Sequence, residues 1–191
     1  KTVIGIDPAT NIVSTINDPR INIINDFFTE NVAKDIISKH GHVDIVLANN
    51  VYAHIPDIQG ITHAVCDVLS DDGVFIFEVH YLGNLINEFQ YDMIYHEHLY
   101  YYSLLSAMKH FERYDMMVFD VKPVPIHAGS MRFYVCKKGS KYGFAVSPEV
   151  IRLQDEELAK VLHSPETFVR FAEEISHRKT ILMALLNKLK K

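Results

Sequence analysis

Short apolar runs alternate with helical patterns over the first 90 residues of the chain. Four runs have the length and the β-branched composition of strands, and they span residues 2–6, 21–24, 43–48 and 73–79. Two segments between them, 29–40 and 57–69, place their apolar side chains on one helical face. Strands that alternate with helices in this way indicate βαβ units, so the pattern predicts an α/β fold with a mostly parallel sheet.

The pattern changes after residue 80. Residues 81–102 are rich in tyrosine and have no clear period, whereas residues 103–114 repeat their apolar positions as a helix does. Two extended runs, 116–124 and 130–137, are joined by a short link with proline and glycine, which predicts a terminal antiparallel strand pair. After a linker at 139–147, the pattern is helical over 148–162 and again from Ser164, a residue type that favours the N-cap.

Composition and charge narrow the class of protein. The 191 residues are 48% hydrophobic and carry a net charge of −5, which is ordinary for a soluble globular domain and disfavours nucleic-acid binding. The two cysteines, Cys66 and Cys136, exclude a disulfide framework and a four-cysteine zinc site. No run approaches the roughly 18 apolar residues that a membrane span needs. We therefore expect a cytoplasmic domain with no membrane partner.

Each predicted strand of the first half ends in polar residues, namely Asp7, Asp26, Asn49 with Asn50, and Glu78 with His80. Ligands of open parallel sheets bind beyond the carboxyl ends of the strands. A carboxylate there can accept both hydroxyl protons of a ribose, and Asp7 fits this role. Asp26 can accept from an exocyclic amine while the neighbouring Phe27 ring packs on a purine. Alternatively, these residues are simply turn and cap residues.

One expected feature of a nucleotide-binding sheet is missing. Such a sheet needs a glycine-rich turn after its first strand, so that backbone N–H groups can approach the ligand. No G-x-G sequence occurs in these 191 residues. Either the sheet binds no such cofactor or the chain begins after that turn. Because the sequence opens one residue before a strand pattern, without an initiator methionine, we expect the first strand and its glycine loop to precede Lys1.

Candidate chemistry is densest between residues 91 and 102, which hold five of the 10 tyrosines. Because the unperturbed pKa of histidine is near 6.5, an imidazole in this segment can accept a proton at neutral pH. A carboxylate such as Glu97 can orient that imidazole, and tyrosine hydroxyls can bind an oxygen that becomes negative. His127 and Arg132 form a second set that can return to the same pocket, where Arg132 suits a phosphate or an oxyanion.

Two other interpretations of residues 96–98, His-Glu-His, stay open. A metal site would need further ligands, and His80 and His127 are available, although their spacing matches no defined motif. A structural loop would instead place the tyrosines in an interface and the histidines on the surface. His54 and His63 follow the third strand and are more typical of cap or surface residues than of catalytic ones.

Several of these segments resemble a known family. Residues 48–57, Ala-Asn-Asn-Val-Tyr-Ala-His-Ile-Pro-Asp, resemble the segment after the fourth strand of class I S-adenosylmethionine-dependent methyltransferases. Residues 95–98, Tyr-His-Glu-His, and residues 127–132, His-Ala-Gly-Ser-Met-Arg, resemble the bacterial sugar C-methyltransferases. Those enzymes alkylate a carbon beside a ketone in nucleotide-linked deoxysugars. The resemblance covers nearly the whole chain, from Gly5 to the last helix.

The resemblance implies a role for each candidate residue. His98 would be the general base that removes the proton next to the ketone, and Tyr95 and Glu97 would position the sugar and the base. The residues implied to bind substrate are His127, Arg132 and Tyr102. The residues implied to bind the cofactor S-adenosyl-L-methionine are Asp7 at the ribose, Asp26 and Phe27 at the adenine, and Asn49 and Asn50 at the methionine side. No metal ligand is implied.

The resemblance also implies the organisation of the chain. A class I methyltransferase-like (Rossmann-like) domain would occupy residues 1–138, with strands two to seven present, the first strand missing and the active-site segment at 81–102. A helical extension over 139–191 would lead towards a missing C-terminal domain. The family's cysteine-rich zinc-binding domain is also absent. His96 stands where an acidic residue is expected, and Ala128 stands where glycine is expected.

The sequence thus predicts C-methylation of a nucleotide-linked keto-deoxysugar through an enolate. Two alternatives are a small-molecule O-methyltransferase, which needs no enolate, and a non-catalytic binding or scaffold module whose strand-end residues are only turns.

Overall fold

The computed structural model describes residues 1–190, and within them six strands form two sheets. The strands are β1 (Val3–Ile6), β2 (Ile21–Ile24), β3 (Val43–Asn49), β4 (Leu69–His80), β5 (Met116–Val124) and β6 (Ser130–Lys137). The α-helices are α1 (Thr10–Val13), α2 (Glu30–His40), α3 (Ile58–Val68), α4 (Leu82–Asn87), α5 (Leu104–Glu112), α6 (Pro148–Ala159) and α7 (Pro165–Leu189). Three 3₁₀ turns lie at Tyr52–His54, Tyr91–Met93 and Lys141–Phe144.

The sheets are parallel at the start of the chain and antiparallel at its end. β1 pairs with β2 in parallel, and the second sheet has the order β3-β4-β6-β5. In that sheet β3 and β4 are parallel, whereas β6 runs antiparallel to both β4 and β5. The structure thus has the expected terminal antiparallel pair. Within residues 1–190 the strands are divided between a parallel sheet of two strands and a mixed sheet of four strands, rather than joined in a single sheet.

The helix predicted over residues 57–69 is shorter than its apolar pattern. Asp57 is its N-cap and accepts from the backbone N–H of Gly60 at 2.9 Å. The helix ends at Val68, and Leu69 already has extended backbone angles as the first residue of β4. β4 therefore begins before the predicted residue 73, and its pairing with β3 skips between Val43 and Ile45. Because polar residues interrupt the apolar pattern in this irregular stretch, the sequence prediction placed the start of the strand too late.

The core is built from aromatic rings on β4, β6, α5 and the turn after β3. Phe77 stacks on Phe133 across the antiparallel pair, with ring centroids 4.8 Å apart. Tyr52 and Phe111 pack on the same cluster, and all four side chains are at most 1% exposed. Burial of aromatic rings of this size supplies much of the hydrophobic free energy of folding. This core fixes the carboxyl end of β4, where the candidate site lies.

The first helix of the predicted extension belongs to this same core. Val150 and Leu153 of α6 are buried in it. Glu157 of α6 is 1% exposed, and its carboxylate accepts the backbone N–H groups of Leu104 and Leu105 at 2.6 and 2.8 Å. It also accepts from the hydroxyl of Tyr81 at 2.8 Å. Glu157 thus caps the N-terminus of α5, where a negative charge is stabilising.

The second half of α7 leaves the core. Phe171 is buried near the start of the helix, whereas Leu182, Leu185 and Leu186 are about half exposed and Leu189 is 72% exposed. The apolar stripe predicted for the last helix therefore packs only at its N-terminal end in the described residues. None of the helices within residues 1–190 is long and apolar enough to cross a membrane.

The buried carboxylate of Glu157 generates the first prediction. In Glu157→Gln, an amide NH₂ or a single neutral oxygen faces two backbone N–H groups, so at least one buried donor loses its charged acceptor. We expect the free energy of unfolding to fall by about 2–3 kcal/mol, measured by urea titration. Glu156→Gln is the matched control, because Glu156 is a half-exposed partner of Arg152 and its loss should cost at most about 1 kcal/mol. Equal losses in the two variants would contradict the capping role.

Candidate active site

The tyrosine-rich segment after β4 is fastened to the turn after β3. The backbone N–H groups of Leu99 and Tyr100 donate to the carbonyl of Ala53 at 3.0 and 3.3 Å. His54 Nδ1 donates to the carbonyl of Glu97 at 2.8 Å, and the Tyr100 hydroxyl donates to the carbonyl of Pro56 at 2.9 Å. A segment without regular period therefore acquires a defined path, because its polar groups bond to a turn that the core already holds.

These contacts enclose a cavity of about 80 Å³ at the carboxyl ends of β3 and β4. Its lining residues are Asn50, Ala53, His54, Val79, His80, Met93, Tyr95, His98 and His127. The cavity thus joins one predicted cofactor residue, Asn50, to the predicted base, His98, and to the predicted substrate residue His127. Four histidines in one small cavity make it the strongest candidate for acid–base chemistry in the described chain.

The hydrogen bonds of His98 define which of its two ring nitrogens carries the hydrogen. Nδ1 lies 3.2 Å from the carbonyl oxygen of Met93, which can only accept, so Nδ1 carries the hydrogen. Nε2 lies 3.0 Å from the hydroxyl of Tyr95 and, in the neutral ring, holds the lone pair that accepts from it. The rings of Tyr95 and His98 are 4.2 Å apart. The structure therefore presents Nε2 as a basic nitrogen that faces a hydroxyl donor.

The surroundings of His98 favour its neutral form. Burial lowers the pKa of His98, and the nearby His54 and His80 lower it further, whereas the hydrogen bond to the Met93 carbonyl acts in the opposite direction. A histidine with a lowered pKa is neutral at pH 7, so its lone pair is available. The electrostatics thus agree with a role as proton acceptor.

His54 is a site residue that the sequence interpretation missed. Its ring lies 5.0 Å from the ring of His98, and it lines the same cavity. The sequence interpretation assigned it to the cap and surface residues, because 43 residues separate it from its partner Glu97. The available signal was its position on the turn that follows the strand-end pair Asn49-Asn50, where loops of an open sheet converge.

His80 closes the cavity at the end of β4 and is 6% exposed. Its Nε2 lies 2.8 Å from Gln90 Oε1. The amide nitrogen of Gln90 donates to the carbonyl of Ala128 at 2.8 Å and to Glu88 at 2.7 Å, which leaves Oε1 as an acceptor. His80 Nε2 therefore carries the hydrogen, and Gln90 joins the tyrosine-rich segment to the β5–β6 turn.

The β5–β6 turn brings His127 to the cavity through an unusual backbone. His127, Ala128 and Gly129 have φ angles of 49°, 56° and 105°, all in the left-handed region. Only glycine adopts this region freely, so His127 and Ala128 are strained. Backbone strain of this kind is typical of functional sites, where the surroundings impose it. The turn holds the exposed His127 side chain at the cavity wall.

Two predicted substrate residues lie outside this cavity. Arg132 stands opposite Glu78 on adjacent strands, and its Nε and Nη2 donate to one oxygen of that buried carboxylate at 3.0 and 2.7 Å. Tyr102 is 4% exposed in the aromatic core, and its hydroxyl donates to the carbonyl of Tyr52 at 3.4 Å. In the structure Arg132 thus neutralises a buried charge and Tyr102 packs in the core, and their substrate-binding roles stay predictions.

Glu97 contributes its backbone carbonyl to the site, not its carboxylate. Its carbonyl accepts from His54, whereas its side chain is exposed and makes no hydrogen bond within residues 1–190. His96 is also exposed. The structure does not place the Glu97 carboxylate against His98, so its orienting role stays a prediction.

The predicted cofactor residues lie at the carboxyl ends of β1, β2 and β3. Asp7 Oδ1 accepts the backbone N–H of Ala9 at 2.7 Å, and Asn25 Nδ2 donates to the carbonyl of Asp7 at 2.9 Å. Asp26 Oδ1 accepts the N–H of its neighbour Phe27 at 2.7 Å. Both carboxylates thus make turn contacts, as the simpler alternative requires, but each uses only one oxygen for them.

The free groups at these strand ends fit an adenosyl cofactor. The second oxygens of Asp7 and Asp26 have no partner in the part of the chain that the structure describes. The Phe27 ring is 67% exposed, and Asn49 and Asn50, at the carboxyl end of β3, are exposed as well. A ribose diol needs a carboxylate acceptor and an adenine needs an open aromatic face, and both are present.

A metal site finds no support from the geometry. Within residues 1–190, no group of three or more His, Cys, Asp or Glu side chains is arranged to hold a metal ion. His80 Nε2 and His54 Nδ1 donate to acceptors of the protein, so the cavity histidines are held by hydrogen bonds.

Comparison with known proteins gives two family matches. A family model described as a methyltransferase domain matches residues 1–119, and one described as a C-methyltransferase C-terminal domain matches residues 125–191. The chain is similar to C-methyltransferase NovU of Streptomyces niveus, at 34% identity over 170 residues. That alignment covers 89% of this chain and 40% of NovU, so the chain spans less than half the length of this relative.

Solved structures share the fold at low sequence identity. A Listeria monocytogenes protein assigned to the S-adenosylmethionine-dependent methyltransferases matches with a TM-score of 0.54 at 14% identity, over 72% of this chain and 80% of that one. Magnesium protoporphyrin IX methyltransferase from Synechocystis PCC 6803 with bound SAH gives a TM-score of 0.51 at 11% identity, over 71% and 64%. These matches confirm the predicted class I methyltransferase-like α/β fold.

The strained turn generates the second prediction. Ala128→Gly removes a Cβ from a residue with φ of 56°, and we expect the free energy of unfolding to rise by about 0.5–1 kcal/mol in urea titration. Ala145→Gly is the control, because Ala145 has φ of −139° and gains nothing from glycine. There the more flexible unfolded chain should lower stability. A destabilised Ala128→Gly variant would contradict the inferred backbone strain at Ala128.

Proposed function

This chain belongs to the methyltransferase-domain family, and we propose that it acts in the S-adenosylmethionine-dependent C-methylation of a nucleotide-linked keto-deoxysugar through an enolate formed by His98. The match to a methyltransferase domain supports S-adenosyl-L-methionine as the cofactor. The observation that carries the proposal is the neutral His98 ring, with its Nδ1–H held by Met93 and its Nε2 lone pair facing the cavity hydroxyl of Tyr95.

C-methylation rather than O-methylation is supported by the base and by the second family match. A carbon next to a ketone must first lose a proton, which requires a positioned base and donors for the enolate oxygen. The cavity offers both in His98 and Tyr95. The match to a C-methyltransferase C-terminal domain and the similarity to NovU point in the same direction. The sugar nucleotide is inferred from the motifs at residues 95–98 and 127–132.

The first step transfers a proton to His98. The C–H bond next to the ketone breaks, its proton goes to Nε2 and its electron pair moves towards the ketone oxygen. Tyr95 occupies Nε2 in the structure, so substrate binding must turn its hydroxyl away. The enolate oxygen is the natural new acceptor for that O–H, which would stabilise the negative charge as it develops. Tyr95 thereby exchanges its hydrogen bond to Nε2 for one to the enolate oxygen, and Nε2 becomes free to take the proton.

The second step forms the carbon–carbon bond. When bound, S-adenosyl-L-methionine would supply an electrophilic methyl group for the enolate carbon; its S–CH₃ bond would break, S-adenosylhomocysteine would leave and the ketone would re-form. The chain's contribution is orientation: Asp7 would hold the ribose, Asp26 and Phe27 the adenine, and Asn49 and Asn50 the methionine side. Asn50 also lines the histidine cavity, so the methyl donor and the base would meet from opposite sides of one site.

The base role of His98 generates the third prediction. His98→Gln keeps a polar side chain but removes the basic nitrogen, and we expect exchange of the substrate α-proton for deuterium to fall at least about 100-fold. The measurement is NMR of a keto-deoxysugar nucleotide in D₂O with the purified protein. His96→Gln is the matched control, because the exposed His96 side chain should leave exchange unchanged. Retained exchange in His98→Gln would end the proposed role, and an O-methylated product would favour the alternative reaction.

The lowered pKa of His98 generates the fourth prediction. Because only the neutral ring accepts a proton, the exchange rate should be constant near pH 7 and fall as the pH drops through the pKa of His98. Burial lowers that pKa, so the midpoint of the fall should lie below 6.5, the usual value for histidine. The pH profile of kcat/KM for α-proton exchange measures this midpoint. A midpoint above 6.5 would be inconsistent with a buried neutral base.

The strand-end carboxylate generates the fifth prediction. Asp7→Asn keeps the Oδ1 acceptor for Ala9 but removes the charge offered to the ribose diol. We expect the affinity for SAH to fall about 10- to 100-fold in calorimetric titration, as for the loss of a charged hydrogen bond. Asp35→Asn, an exposed carboxylate on α2, should bind SAH as the parent protein does. Equal binding by both variants would mean that Asp7 is only a turn residue, whereas the absence of SAH binding in the parent protein would favour the scaffold interpretation.

A further inference from the structure

His80 carries the one buried side-chain nitrogen without a hydrogen-bond partner in the described part of the chain. The residue is 6% exposed, and its Nδ1 has no partner within residues 1–190. Leaving such a group unpaired costs about 1–3 kcal/mol, so its presence in a folded protein calls for an explanation. His80 lines the same cavity as His98.

The protonation of His80 follows from its other nitrogen. Nε2 carries the hydrogen, because it faces Gln90 Oε1 at 2.8 Å while the Gln90 amide nitrogen is engaged by the Ala128 carbonyl and by Glu88. In the neutral ring Nδ1 is then a lone pair that can only accept. Gln90 is absent from the cavity lining, whereas His80 is part of it. His80, a lining residue of the cavity, therefore has an unpaired acceptor in its Nδ1 atom.

We propose that His80 Nδ1 accepts a hydrogen bond from a substrate hydroxyl, and hence that the site selects ketones that carry a hydroxyl group close to the reacting carbon. The rings of His80 and His98 are 6.5 Å apart, a span that a hydroxyl on one carbon and the acidic proton on the next or the second-next carbon can bridge. The inference rests on the proposed function, because it takes His98 as the base that defines the reacting carbon.

The size of the cavity agrees with an incomplete site. Ligand pockets enclose roughly 300–1,000 Å³, whereas this cavity measures about 80 Å³. It must therefore widen for a sugar, and the same widening gives the buried Nδ1 access to a hydroxyl. Two of its walls are exposed side chains, Tyr95 at 40% exposure and His127 on the strained turn.

Specificity would come from the unpaired acceptor. A ketone without the hydroxyl leaves His80 Nδ1 buried and unsatisfied, whereas one with the hydroxyl pairs it. A single neutral hydrogen bond of this kind corresponds to roughly a fivefold difference in affinity. His80 is thus a specificity-determining residue rather than a base, since its Nε2 is held by Gln90 and its Nδ1 is matched to a donor.

Two small probes test this inference in the purified protein. Hydroxyacetone carries a hydroxyl beside its ketone, and 2-butanone has the same number of heavy atoms without the hydroxyl. Long-range ¹H–¹⁵N NMR of the ¹⁵N-histidine protein reports Nδ1 of His80, assigned by its loss in His80→Gln. We expect hydroxyacetone to shift this resonance and to bind roughly fivefold more tightly than 2-butanone. Equal shifts, or an Nδ1 that carries hydrogen, would overturn the inference.

Two variants of His80 separate the role of Nδ1 as an acceptor from the contact of Nε2 with Gln90. His80→Gln places an amide donor where Nε2 meets Gln90 and removes the Nδ1 acceptor, so the preference for hydroxyacetone should disappear. His80→Asn can place an oxygen near the Nδ1 position and loses the Gln90 contact, so part of the preference should return. A preference that survives in His80→Gln would contradict the proposal, whatever the stability of His80→Asn.

The same probes keep this inference distinguishable from the proposed function. Binding is measured by the NMR resonance of His80 Nδ1, whereas the base activity of His98 is measured by deuterium exchange of the ketone α-protons. Hydroxyacetone preference without exchange would support the His80 role as a binding contact and count against His98 as base. Exchange of both ketones at equal rates, with equal binding, would support the base and refute the hydroxyl contact.

Discussion

The hydrogen bond from His98 Nδ1 to the carbonyl of Met93 is the contact on which the proposed chemistry depends. It fixes the tautomer, so the basic nitrogen faces the cavity and Tyr95. Both partners lie in the irregular segment after β4, and hydrogen bonds from its backbone to the turn after β3 help to hold this segment in place. A backbone carbonyl two residues before the motif at residues 95–98 thereby decides which nitrogen of His98 can accept a proton.

The site lies where two kinds of structure meet. Strand ends supply rigid polar groups from Asp7 to Asn50, as open α/β sheets do for nucleotide-like ligands. The tyrosine-rich segment supplies titratable side chains such as His98. Asn50, itself in the left-handed region with φ of 53°, stands at their junction and lines the cavity. Orientation and acid–base chemistry are thus contributed by different elements and combined only by tertiary packing.

The C-terminal helices take part in this arrangement. Glu157 of α6 binds the hydroxyl of Tyr81 and the N-terminus of α5. Tyr81 is the first residue of the tyrosine-rich segment 81–102, and α5 follows directly after it. A segment assigned to an extension by its sequence therefore helps to hold the ends of the active-site loop. The β5–β6 turn does the same from another direction, through the bond between Gln90 and the Ala128 carbonyl.

The order of strands and helices, the polar strand ends and the motif around His98 could be read from the sequence, because periodicity and turn chemistry act over a few residues. The sequence did not reveal His54 and His80 as partners of His98, since their contacts join residues 18 to 44 positions apart. It also did not reveal that Arg132 pairs with Glu78 or that Tyr102 packs in the aromatic core. Local pattern determined which groups are available; only the packing of distant segments decided which of them face one another, because burial and pairing depend on contacts that no short stretch of chain contains.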